Sequence, residues 1–114
     1  EEFVYLKYNP RKNIERYGLS ITSLDGSLNG IDLDSIKEYN KENNTEYDEL
    51  SFNKFTEVYN VSSEIQKIVE PFKNHIGRSH ILHLAEGGYF PPHRDLPVYV
   101  EQQNSLRILV PLKS

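Results

Sequence analysis

His93 and Asp95 stand two residues apart in the stretch GGYFPPHRDLP, residues 87–97. In an extended strand, residues i and i+2 lie on the same side, about 6–7 Å apart along the backbone. An imidazole and a carboxylate so placed can supply two of the three protein ligands of a 2-His-1-carboxylate facial triad. That triad holds Fe(II) on one face and leaves positions open for substrate and oxygen. Gly87 and Gly88 permit a tight reversal before the pair, and Pro91-Pro92 fixes the backbone that leads into it. On spacing alone, H-x-D is equally readable as a solvated turn with a polar tip.

The elements that must position this pair follow from pattern. SHILHLA (79–85) reads as a strand, with His80, Leu82 and Leu84 on one side and Ser79, Ile81, His83 and Ala85 on the other. His83 is therefore a candidate for a cavity wall, or a strand histidine bonded to neighbouring backbone. SLRILVPL (105–112) is expected to be a second strand, and Arg107 within it needs a partner if buried. Upstream, FVYLKY (3–8) reads as a short strand stopped by Asn9-Pro10, and 17–23 as another, with turns at Asp25-Gly26 and Asn29-Gly30. DLDSIKEYNKENN predicts a short helix capped by Asp32 or Asp34, followed by a polar loop suited to mobility.

The clearest helix is expected over 63–76. Ser63 and Gln66 fit a capping box, and Ile65, Ile68, Val69, Phe72 and Ile76 share one face. Pro71 should bend or split it, and Gly77 should stop it. His75, near the helix end, reads as structural. Mixed elements followed by a strand-rich end favour an α+β fold.

Composition bounds the function. One domain fits in 114 residues. The absence of cysteine excludes disulfides, thiolate metal sites and thiol nucleophiles. A net charge of −4 argues against a nucleic-acid partner, which normally meets a basic patch. No apolar run is long enough to span a bilayer, and no basic, then apolar, leader opens the chain; both suit a cytoplasmic protein. Residues 1–57 carry 12 acidic and 7 basic side chains, against 5 and 6 in residues 58–114, so the second half is the less hostile place for an anion.

Residues 79–112 resemble the aspartyl/asparaginyl β-hydroxylase family of Fe(II)- and 2-oxoglutarate-dependent oxygenases. The elements that carry the likeness are HILHLAEGG, YFPPHRD and LRILVPL. RYGLSITSLDG looks, more faintly, like the front part of some small members. The resemblance implies a partial double-stranded β-helix (a jelly-roll, cupin-like core) with flanking helices. It implies His93 and Asp95 as iron ligands, although some members carry glycine at the carboxylate position. It implies Arg107 as the strand arginine that meets a carboxylate of co-substrate or substrate; His83, from the alternation of its own strand, is a further cofactor-binding candidate. Fe(II) and 2-oxoglutarate are the expected cofactors, and hydroxylation of an amino-acid side chain or small molecule, free or in a peptide, the expected reaction.

The family's second histidine ligand lies downstream of the motif, whereas the histidines here are 75, 80, 83 and 93. With no methionine and an end at RILVPLKS, residues 1–114 are expected to form one incomplete domain lacking its C-terminal strands. The alternative from another class is a non-catalytic, cupin-like binding or structural module with a degenerate metal site.

Overall fold

Two small antiparallel sheets and three short helices make up the structure, a computed structural model that describes residues 3–87 and 108–110. The larger sheet has the order β1-β2-β5, from β1 (Leu6–Lys7), β2 (Arg16–Ser20) and β5 (His80–Leu84). The second pairs β3 (Thr22–Ser23) with β4 (Lys54–Phe55). The helices are α1 (Ile36–Asn43), α2 (Glu57–Val61) and α3 (Ser63–Val69). The α+β expectation is met at this level.

β2 is the central strand of this sheet, and its pairing with β5 is the longest among the described residues. Arg16 faces Leu84, Gly18 faces Leu82 and Ser20 faces His80, with Tyr17–His83 and Leu19–Ile81 alternating between them. Paired residues share a face. One face thus carries Leu6, Arg16, Gly18, Ser20, His80, Leu82 and Leu84; the other carries Lys7, Tyr17, Leu19, Ile81 and His83. The strand expected over 3–8 is confined to Leu6–Lys7. Tyr8 still donates to the Arg16 carbonyl, but Asn9 then adopts a left-handed φ of 50° and its N–H turns to the Leu33 carbonyl at 2.7 Å.

The second face is covered by helix. Ile21, Tyr59, Ile65 and Val69 form the buried cluster, with Phe55, Ile76 and Ile81 packed against it and the Phe55 and Tyr59 rings stacked at 3.9 Å. Burying Ile65 and Val69 stabilises α3 by about 1.5–3 kcal/mol each. The helix is shorter than its periodicity predicts. It starts at Ser63, with Ser62 as the cap, whose Oγ accepts from the Ile65 N–H. The Gln66 amide reaches back to the Tyr59 and Asn60 carbonyls rather than closing a box. Pro71 splits the run as expected, and Glu70–His75 continues as 3-10 helix. The change of twist carries Phe72 out to 40 % exposure, while Ile68 is half-buried.

Buried hydroxyls join the two sheets. Thr22, fully buried, donates to the Gly77 carbonyl at 2.8 Å and accepts from the Ser79 N–H at 2.9 Å. Thr56, also fully buried, donates to the Ser20 carbonyl at 2.7 Å. Gly77 is needed for close approach rather than as a left-handed helix stop: a Cβ there would sit 2.8 Å from the Glu49 carbonyl oxygen.

Among the described residues, a 3-10 turn, Ile31–Leu33, covers part of the first face, and Leu82 and Leu84 on that face are exposed. Gly30 enters it at φ 82°, and Leu33 then lies over Gly18. Neither Asp32 nor Asp34 caps α1. Ser35 does, its Oγ accepting from the Glu38 N–H at 3.3 Å. Asp34 instead takes a two-pronged contact from Arg11, at 2.9 and 3.0 Å, and Arg11 also holds Glu42. The polar stretch after α1 is pinned. The Asn40 side chain bonds Thr45 and the Tyr47 backbone, and Asp48 and Ser51 form a reciprocal capping box.

Candidate functional site

β5 delivers the chain to the motif. It runs antiparallel beside β2 to Leu84, the Ala85 N–H adds one more bond to the Glu15 carbonyl, and Gly87 turns at φ 85°. His93, Asp95 and Arg107 lie outside the described residues, as does most of the strand expected over 105–112. Ile108–Val110 are exposed and carry no regular secondary structure.

His83 is on β5, exposed, on the face opposite His80. Its ring meets Tyr5 edge-on at a centroid distance of 6.2 Å. A depression of about 590 Å³ lies on that side of the sheet, walled by Phe3, Tyr5, Leu19, Val58, Ile65 and Ile81. Its lining is mixed, because Ser62, Ser63 and Glu64 border it beside these apolar side chains.

The polar chemistry of the described region collects on the other face. Asp32 is fully buried beneath the 3-10 turn. Its Oδ1 accepts from the Ser20 hydroxyl at 2.5 Å, and its Oδ2 lies 3.9 Å from His80 Nδ1. Arg78 donates through Nε to the Asp32 carbonyl at 2.5 Å and through Nη2 to the Asp34 carbonyl at 3.2 Å, with Glu49 at 3.4 Å from Nη1. The Tyr8 ring packs on His80 at 5.3 Å, and the Arg16 guanidinium, 3 % exposed as a residue, sits 5.3 Å over Tyr8. Desolvation pushes the Asp32 carboxyl above its ordinary pKa, against the opposing pull of the Ser20 hydrogen bond and the Arg78 charge.

Sequence pattern does not single out this cluster. Asp32 reads from sequence as a solvent-facing cap, because nothing local announces that a one-turn 3-10 segment will press it onto a sheet. The signal that is present is the alternation of β5, which sets His80 apart from His83. Among the described residues, no group of three His, Cys, Asp or Glu side chains stands close enough to hold a metal ion. No helix among them is long and apolar enough to cross a membrane. No protein-family model matches the chain, and neither a curated protein nor a solved structure does.

Proposed function

We propose that this chain belongs to an Fe(II)- and 2-oxoglutarate-dependent oxygenase that hydroxylates an amino-acid side chain or small molecule in the cytoplasm. The observation that carries the reading is the H-x-D pair, His93 and Asp95, set behind a Gly-Gly turn and a Pro-Pro lead. The architecture supports it in one respect: the strand entering that turn, β5, is part of an antiparallel sheet, the kind of pairing from which a jelly-roll is built.

The donor chemistry fits the metal. Imidazole nitrogen and carboxylate oxygen are the ligand types that suit a non-haem Fe(II) centre with open positions. His93 and Asp95 would hold the ion, and the described residues add no three-ligand group of their own. When bound, Fe(II) with 2-oxoglutarate and O2 supplies the oxidising chemistry for C–H hydroxylation. The chain's own task is to bind, orient and exclude water. Arg107 would clamp a carboxylate through its planar fork, with His83 as a second contact on the co-substrate. A second reading, a cupin-like binding or structural module with a degenerate metal site, is favoured by the sequence, whose histidines are 75, 80, 83 and 93, none of them between Asp95 and Ser114.

Calorimetry of the full-length protein loaded with Fe(II) under anaerobic conditions tests the reading. 2-Oxoglutarate should bind, and Arg107→Ala should weaken it by about 1.5–3 kcal/mol, the worth of a hydrogen bond to a charged group. Metal uptake with no 2-oxoglutarate binding would transfer the protein to the binding-module reading.

A further inference from the structure

Asp32 and His80 meet across the joint between the Ile31–Leu33 turn and the sheet. Asp32 is fully buried, one carboxylate oxygen held by Ser20 and the other 3.9 Å from the imidazole. Among the described residues, the charged and titratable groups facing the pair include Arg78, bound to the Asp32 carbonyl and to Glu49; Tyr8, against the His80 ring; and Arg16, over Tyr8. On the far side of the turn, Asp34 is taken by Arg11.

We propose that Asp32 and His80 form a proton-operated latch that holds the Ile31–Leu33 turn on the sheet, closed while His80 is protonated and loosened when it is neutral. The Ser20 hydroxyl and the Arg78 charge favour the ionised form of buried Asp32, but its Oδ2 has no hydrogen-bond partner among the described residues, and His80 Nδ1 stands 3.9 Å from that oxygen. At 3.9 Å the contact with His80 is too long for a hydrogen bond, so its attraction is between charges and disappears with the imidazole proton. Histidine is the side chain that exchanges that proton near neutral pH.

The direction follows from linkage. Asp32 favours the charged form of His80 in the fold. The latch's stabilisation is therefore fully present below the pKa of an unstructured imidazole, and is lost as pH rises through the folded value. Asp32, raised by desolvation, is held protonated in acid more tightly by the fold than by the unfolded chain, and the ion pair with His80 therefore acts only while the carboxyl is ionised. The turn also carries Leu33, which covers Gly18, and the Leu33 carbonyl, which accepts the Asn9 N–H at 2.7 Å. The Asn9 amide thus reports whether the turn is seated.

The experiment is NMR of the whole chain across neutral pH, following histidine ring protons and hydrogen exchange at Asn9, corrected for the intrinsic pH dependence of exchange. His80 should titrate above a free imidazole, and Asp32→Asn should lower its midpoint by about one pH unit or more. Asn9 protection should fall in the native chain as pH rises through that midpoint. The fall should be roughly tenfold for each pH unit by which the His80 midpoint exceeds that of a free imidazole. In His80→Gln it should be flat across the same window. A His80 midpoint unchanged by Asp32→Asn overturns the latch, and so does a pH-dependent loss that persists in His80→Gln. If Asp32→Asn does not fold, the His80→Gln comparison decides alone, because a merely structural role for His80 would lower protection evenly at all pH values.

Discussion

Gly18 and Leu33 fit each other closely enough for the energetic consequence of changing either to be worked out. A Cβ built on Gly18 lies 2.8 Å from Leu33 Cδ2 and 3.3 Å from Cδ1, against the roughly 3.5–4.0 Å at which carbon atoms rest. Leu33 is 1 % exposed and has no open side to swing into. Gly18→Ala should therefore cost about 1–3 kcal/mol as overpacking, reduced by the roughly 0.5–1 kcal/mol that alanine recovers in chain entropy. Leu33→Ala alone should cost about 2–5 kcal/mol, because it empties a closed space. In the double variant the alanine methyl enters part of that space. The two costs should then sum to less than their separate values, with a coupling of about 0.5–3 kcal/mol. Urea unfolding of the four proteins measures this from midpoints at constant slope. If Gly18→Ala is neutral and its effect adds to that of Leu33→Ala within about 0.5 kcal/mol, the turn does not seat on β2 as described.

Two further stability outcomes follow from the same packing. Thr22→Val leaves the half-buried Ser79 N–H without its acceptor, while the Gly77 carbonyl keeps the Ser79 hydroxyl at 2.9 Å; the loss should cost about 1–3 kcal/mol, read as a lowered thermal midpoint. Ile65→Ala should cost about 2–5 kcal/mol, whereas Phe72→Ala should stay within about 0.5 kcal/mol of the parent, because Ile65 is buried and Phe72 is 40 % exposed; equal losses in chemical denaturation would refute the split of the helix at Pro71.

Where residue order alone dictates geometry, the fold was readable. The alternation of 79–85 assigns His80 and His83 to opposite faces, as the pairing with β2 bears out. Asp25-Gly26 and Asn29-Gly30 mark turns at which both glycines take positive φ. Pro71 interrupts the helix because it cannot donate, and the 3-10 stretch that follows rotates Phe72 away from the face shared by Ile65 and Val69. What was not readable depends on distant partners. α2 is only five residues long, and its short run EVYNV has no periodicity to announce it; Val58 and Tyr59 are buried by the rest of the fold. Asp34 has the chemistry of a cap but is claimed by Arg11, 23 positions away, leaving the cap to Ser35. Asp32 is buried because Ser20, His80 and Arg78 converge on it from other segments. The H-x-D pair, in contrast, is legible in sequence alone: His93, Asp95 and Arg107 lie outside the described residues.

The measurement that bears most directly on the oxygenase proposal is succinate formation from 2-oxoglutarate by the full-length protein with Fe(II) in air, with candidate amino acids and peptides as substrates. Fe(II)-dependent succinate is expected, abolished by His93→Ala because one of few protein ligands is lost, with residual turnover in Asp95→Gly. Succinate formation that is indifferent to His93→Ala, or none at all from protein carrying Fe(II) and a full range of substrates, would contradict the proposal.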